Sequence, residues 1–229
     1  MYAERPEINA DINSLADIRK IVLIDDNKNN IRVLHHLERY EFIIKILEEN
    51  KIDTKSLKIL DIGCGLGFGL NILYNNFNNE NMLGIDIDIN IINIAKNKYK
   101  NINFINCHIC NLGIIIKFDV IILFEILGEY SITNDEYILQ KVDELLSDNG
   151  FIFISIPFYH RKEYKNKSFN RIYNLNSFTE LVNNNFNNHE IKIFGQLYPK
   201  NRENIVDDNP ILVDNLFNAD FLIAMVKRM

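Results

Sequence analysis

Residues 59 to 69, ILDIGCGLGFG, constrain this chain more than any other segment. A short apolar strand ends in Asp61, and four glycines, Gly63, Gly65, Gly67 and Gly69, then follow at every second position before a new apolar periodicity begins. That order is strand, side-chain-free bend, helix, the arrangement a chain uses to bring its backbone against a nucleotide. The dinucleotide fingerprint G-x-G-x-x-G started at Gly63 requires glycine at position 68, which is Phe68. A dinucleotide site of that form is excluded.

The periodicity around the bend extends the pattern to both sides. Leu37, Tyr40, Ile44 and Leu47 recur at helical spacing before the strand KILDIG, and Leu70, Leu73, Tyr74 and Phe77 predict a helix after it. NMLGIDI at 81–87 and INFIN at 102–106 read as strands, with Ile92, Ala95 and Tyr99 as a helix face between them. FDVIILF at 118–124 is apolar without alternation, as a central parallel strand covered on both faces must be. Thr133 and Glu136 predict a capping box for a helix with Leu139, Val142 and Leu146 inward, and Asp148-Asn149-Gly150 a turn into GFIFISIP. Ser177 and Glu180 repeat the capping signal before Phe178, Leu181 and Val182, and HEIKIFG and ADFLIAMVK supply two last strands. The expectation is an α/β fold, a Rossmann-like sheet of seven strands, mostly parallel, with about six helices on both faces and the last strand antiparallel.

Asp86, nineteen residues beyond Gly67 and at the end of the second strand, is placed to accept hydrogen bonds from both hydroxyls of a ribose. The chain resembles the class I S-adenosylmethionine-dependent methyltransferases through DIGCGLG at 61–67, GID at 84–86, FDVIILFEIL at 118–127 and LLSDNGFIFISIP at 145–157. The resemblance covers about residues 34 to 229, and HHLERYEF at 35–42 is similar to the helix that precedes the fold in methyltransferases of polysaccharide and glycan synthesis. It implies an extension and capping helix over 1–50 and a catalytic domain over 51–229. It further implies that Asp61, Gly63, Cys64, Gly65 and Gly67 line the methionine part of S-adenosyl-L-methionine. Asp86 would hold the ribose, Ile87 flank adenine, and Phe124 and Glu125 lie near the sulfonium.

Two positions depart from the family pattern. His108 stands where an Asp commonly receives the adenine amino group, which an imidazole does only through an unprotonated nitrogen. Many relatives carry Glu-His after the fourth strand where this chain has Gly128-Glu129, so the candidates for a general base are Glu129, His160 and Tyr159. His35 and His36 read as helix surface, and Arg39 and Tyr40 either cap the cofactor pocket or only pack.

The acceptor expected is a small molecule or a glycan. Arg161, Lys162, Lys165, Lys167 and Arg171 against the single Glu163 make residues 157–174 basic, which suits an anionic acceptor such as a nucleotide-linked sugar. The net charge of −6 and the absence of an Asn/Asp-Pro-Pro-aromatic block after the fourth strand argue against a nucleic-acid partner. Cys107-His108-Ile109-Cys110 lacks a second ligand cluster, so no metal is expected. Three cysteines, a charged amino terminus and no apolar run of membrane length point to a soluble protein of the cytoplasm. The competing expectation is a catalytically silent module of the same fold acting as a binding partner or scaffold.

Overall fold

FDVIILF forms β4 (Phe118–Phe124), whose residues Val120 to Leu123 are fully buried. Alternate side chains leave it on opposite faces: Val120 and Ile122 enter one core, Ile121 and Leu123 the other. Burying such side chains contributes roughly 1.5–3 kcal/mol each, so a two-faced strand makes a strong centre for a sheet. The computed structural model describes residues 28–113, 115–128, 134–158, 171–197 and 216–229, with side chains from 35 onward.

Around β4 lie β1 (Ile59–Ile62), β2 (Met82–Asp86), β3 (Asn103–Asn106), β5 (Leu146–Pro157), β6 (His189–Gln196) and β7 (Phe221–Arg228). The sheet order is β3-β2-β1-β4-β5-β7-β6. The first five strands are mutually parallel, and β7 runs antiparallel to both β5 and β6. The seven-stranded, mostly parallel sheet with a reversed last strand is the one the sequence predicts.

Three helices, α1 (Lys28–Glu49), α2 (Phe68–Phe77) and α3 (Ile89–Lys98), pack Leu37, Ile43, Leu70, Leu73 and Ile92 against one face. On the other, α4 (Asp135–Leu145) and α5 (Leu175–Asn185) present Ile138, Leu139, Val142, Phe178 and Val182. Five α-helices thus stand among the described residues.

The boundaries differ from expectation at three places. Leu146 pairs with Phe118 as the first residue of β5 instead of facing inward from the helix. The next pair is Val120 with Phe151, so Ser147 to Gly150 form a bulge within the strand, with Asn149 at a φ of 62°, and not a turn ahead of it. The caps lie on asparagines. Asn134 accepts from the Glu136 amide, and Asn174 exchanges hydrogen bonds with Ser177 in a capping box that opens α5 three residues before the Ser177 signal. An Asn side chain fits the N-cap as well as Ser or Thr, and a reading built on Ser/Thr-x-x-Glu passes over it.

Candidate active site

The glycine bend joins β1 to α2 and folds back on β2. The amides of Gly63 and Cys64 both donate to the Ile85 carbonyl, at 2.8 and 3.0 Å. Gly67 caps α2 with a φ of 79°, and a Cβ there would stand 2.6 Å from the Phe104 ring. Both its backbone and its surroundings require glycine. Because Gly67 brings no side-chain cap, the first amides of α2 face outward as donors, the arrangement that favours a ligand's anionic end. Cys64 is buried, its thiol pushed well above its usual range by burial and by the neighbouring carboxylates, so it packs as a protonated thiol.

Asp86 ends β2 beside this bend. Its Oδ2 accepts from the Gly65 amide at 3.1 Å and its Oδ1 from the Asp88 amide at 2.9 Å, which fixes the carboxylate while leaving each oxygen a further lone pair. It borders a crevice of about 310 Å³, counting its open mouth, together with Gly63, Ile87, Cys107, His108 and Ile126. Ile87 is half exposed at the rim. The His108 Nδ1 accepts from the Cys110 amide at 3.2 Å, and burial lowers the imidazole's pKa, so the ring is held neutral with its hydrogen on Nε2. A neutral imidazole of that tautomer offers Nε2 as a donor only. It does not receive an amino group as an Asp would.

A second constellation closes the carboxyl ends of β1, β4, β5 and β6, and α1 supplies most of it. Tyr40 lies over Gly69, edge-on to Phe124 with ring centroids 5.2 Å apart, and its hydroxyl donates to Asp61 Oδ2 at 2.9 Å. Burial, which outweighs this hydrogen bond, lifts the Asp61 carboxyl to about 7, and the charge of Asp86 adds to the rise. Arg39 is fully buried. Its Nη1 donates to Glu125 Oε1 at 2.6 Å and to Ser155 Oγ at 3.1 Å, its Nε to Gln196 Oε1 at 2.8 Å, and its guanidinium stacks 4.4 Å from the Phe221 ring centroid. Burial raises the Glu125 carboxyl, but His36, Arg39 and His35 more than offset that and hold it well below the usual carboxylate range. The Nε2 of His35 and the Nδ1 of His36 stand 3.8 and 3.6 Å from Glu125 Oε1.

Of the residues predicted from sequence, Asp61, Gly63, Cys64, Gly65, Gly67, Asp86, Ile87 and His108 gather around the bend and crevice, and Phe124 and Glu125 end β4 beside them. Glu129, Tyr159, His160 and most of the basic stretch lie outside the described residues. Arg171, at the end of that stretch, is paired with Asp135 at 3.6 Å. His35 is a correction: it is 4% exposed and stacked on Phe221, not on the helix surface. The sequence reading missed the Ser155 and Gln196 partners of Arg39. The sequence offers little to find them by, since Arg39 lies off the apolar face of Leu37, Tyr40, Ile44 and Leu47 and only its burial shows that the guanidinium demands acceptors.

Residues 53–209 match the model of a methyltransferase domain family. Among curated proteins, the uncharacterised protein RP028 of Rickettsia prowazekii (strain Madrid E) is 30% identical over 117 residues, 48% of this chain and 47% of that protein. The chain thus spans about half the length of the curated relative it matches. Among solved structures, the plantazolicin methyltransferase BpumL in complex with SAH is 20% identical with a TM-score of 0.66, over 98% of this chain and 94% of that one. The magnesium protoporphyrin IX methyltransferase ChlM of Synechocystis PCC 6803, with bound SAM, is 16% identical with a TM-score of 0.60, over 100% and 99% of the two chains. At these identities the likeness to solved structures is one of fold, and it coincides with the sheet order, the glycine bend and the family match: the chain belongs to the methyltransferase domain family.

Proposed function

We propose that this protein transfers a methyl group from S-adenosyl-L-methionine to a hydroxyl or amine of a small-molecule or glycan acceptor. The observation that carries the reading is the Asp86 carboxylate, fixed by two backbone amides beside the glycine bend and facing an open crevice. The donor set fits the cofactor. Asp86 accepts from the ribose hydroxyls, the bend and the first amides of α2 receive the methionine end, and Ile87 and His108 border adenine. When bound, the cofactor supplies an electrophilic methyl carbon on a sulfonium that leaves as a neutral thioether.

The protein's own contribution is largely alignment and exclusion of water, since holding reactants in near-attack geometry is worth about 7–11 kcal/mol. Tyr40 and Phe124 wall the site from the β4 side, and Asp61 offers an acid there without a cation of its own at hydrogen-bond distance among the described residues. The methionine end of the cofactor brings one. BpumL and ChlM are described in complex with SAH and SAM respectively, which supports the choice of donor. A glycan acceptor is supported by the likeness of residues 35–42 to the preceding helix of glycan methyltransferases, and its anionic character by the basic stretch at 161–171. Incubation with S-[methyl-³H]adenosylmethionine and a panel of nucleotide-linked sugars, uronic acids and free amines tests the acceptor class. Transfer to a sugar is the expected result, and transfer only to the free amines that carry no sugar would contradict the glycan assignment.

A further inference from the structure

α1 and the end of β4 bring two imidazoles and a carboxylate to one point. Among the described residues, His35, His36 and Glu125 are a group whose ligand atoms all lie within 4.8 Å of one another. The Nε2 of His35 stands 3.8 Å from Glu125 Oε1, and the Nδ1 of His36 stands 3.6 Å from the same oxygen. Both separations are longer than a hydrogen bond. A first-row divalent ion at about 2.0–2.2 Å from each of three ligands sets them about 3.0–3.5 Å apart. The three groups therefore frame a gap that an ion closes with small side-chain rotations.

Consecutive residues of an α-helix point about 100° apart, so adjacent histidines converge on one point only by using different ring nitrogens. That is the arrangement here: the far nitrogen, Nε2, of His35 and the near one, Nδ1, of His36 approach Glu125. The two rings lie 4.1 Å apart, and His35 is further stacked on Phe221 at 4.8 Å. Glu125 is fixed as well. Its φ is 59°, its amide donates to the Ser155 carbonyl at 2.9 Å, and Arg39 Nη1 donates to Oε1 at 2.6 Å. No hydrogen bond to Glu125 Oε2 stands among the described residues. Metal-ligating carboxylates are themselves hydrogen-bonded, and such partners orient them. Arg39 has anchors of its own in Ser155, Gln196 and Phe221, so it keeps its place while the other carboxylate oxygen turns to an ion.

We propose that His35 Nε2, His36 Nδ1 and a carboxylate oxygen of Glu125 form a site for one divalent ion of the first transition row, of the zinc class. Two imidazoles and one carboxylate suit zinc, iron, cobalt or nickel, whereas magnesium and calcium take oxygen ligands. Cys107, His108 and Cys110, though close in sequence, form no such group. Three protein ligands leave at least one coordination position for water or for an oxygen of a bound molecule. The side chains of His36 and Glu125 are 32% and 23% accessible and that of His35 5%, so this position opens on the His36 and Glu125 side. None of the three residues lines the crevice beside Asp86, and the metal site stands independently of the methyl-transfer reading.

Calorimetric titration of the untagged full chain, stripped of metal with EDTA and dialysed, with zinc chloride gives the first test. Saturable binding of one equivalent is expected, and magnesium chloride should bind far more weakly. Cobalt chloride should give the visible absorption of an ion with nitrogen ligands. His36→Gln should weaken zinc binding by at least about tenfold, since losing even a group that only orients a ligand costs about 10–100-fold. The double variant Cys107→Ser, Cys110→Ser should bind as wild type does. No binding at millimolar zinc, equal affinity in His36→Gln, binding lost with the cysteines, or magnesium bound as tightly as zinc would each overturn the site.

Anomalous diffraction at the zinc edge, from wild-type crystals grown with zinc chloride, depends on no variant. One peak is expected at about 2.0–2.2 Å from His35 Nε2, His36 Nδ1 and a Glu125 oxygen. Peaks only at other side chains, with this gap bare, would overturn the assignment.

Discussion

Tyr40 donates its hydroxyl hydrogen to Asp61 across 2.9 Å, joining the helix ahead of the sheet to the first strand through an acid that is 1% exposed. Burial raises that carboxyl from its ordinary value of 3.8 to about 7. A folded-state value above the unfolded one means the protonated form stabilises the cofactor-free fold. The contribution is fully present below about pH 4, declines as pH rises and is gone above about pH 7.

Asp61→Asn removes that dependence while retaining an acceptor for Tyr40. At pH 8 the variant should unfold at higher urea than wild type, by on the order of 2–4 kcal/mol, and at pH 4 the difference should vanish. A stability gap that does not change with pH would contradict the buried acid.

Fully buried Arg39 and the partly exposed Glu125 form the other pair, an ionic one, and breaking it from one side leaves a charge without its closest partner. Arg39→Met should cost about 3–5 kcal/mol by urea denaturation, and adding Glu125→Gln should recover much of the loss. A cost below about 1 kcal/mol for the single variant would show that the pair is not desolvated as described.

These two pairs mark the limit of what the sequence discloses. The sheet was legible because each βα unit carries its own period: FDVIILF is apolar on both faces, DIGCGLG interrupts the strand where the bend must be, and Asp86 follows at nucleoside spacing. Such signals are local. The partners of Arg39 lie 86, 116 and 157 residues away, and no periodicity connects them. The same holds for His35, whose burial depends on Phe221 from the last strand. The misplaced boundaries at Leu146 and Asn174 arose where two local signals competed, a helical spacing that continues into a strand and a capping motif with more than one possible start.

Gly128 offers a test of the segment after β4. Its φ is 85°, its amide donates to Asp135, and a Cβ would stand 2.6 Å from the Arg171 carbonyl oxygen. Backbone cannot move aside as a side-chain tip can. Gly128→Ala should destabilise by about 2–4 kcal/mol, whereas Gly113→Ala, with nothing within 4 Å, should stay within about 0.5 kcal/mol of wild type. Equal effects at the two sites in chemical denaturation would refute the strained turn.

The measurement that bears most directly on the account is calorimetric titration of the wild-type chain and Asp86→Ala with S-adenosylhomocysteine. Charge-assisted hydrogen bonds to the ribose are worth about 1.5–3 kcal/mol each, so saturable binding by wild type and a loss of at least about tenfold in the variant are predicted. No binding by wild type at millimolar ligand, or equal affinity in a folded Asp86→Ala chain, would contradict it.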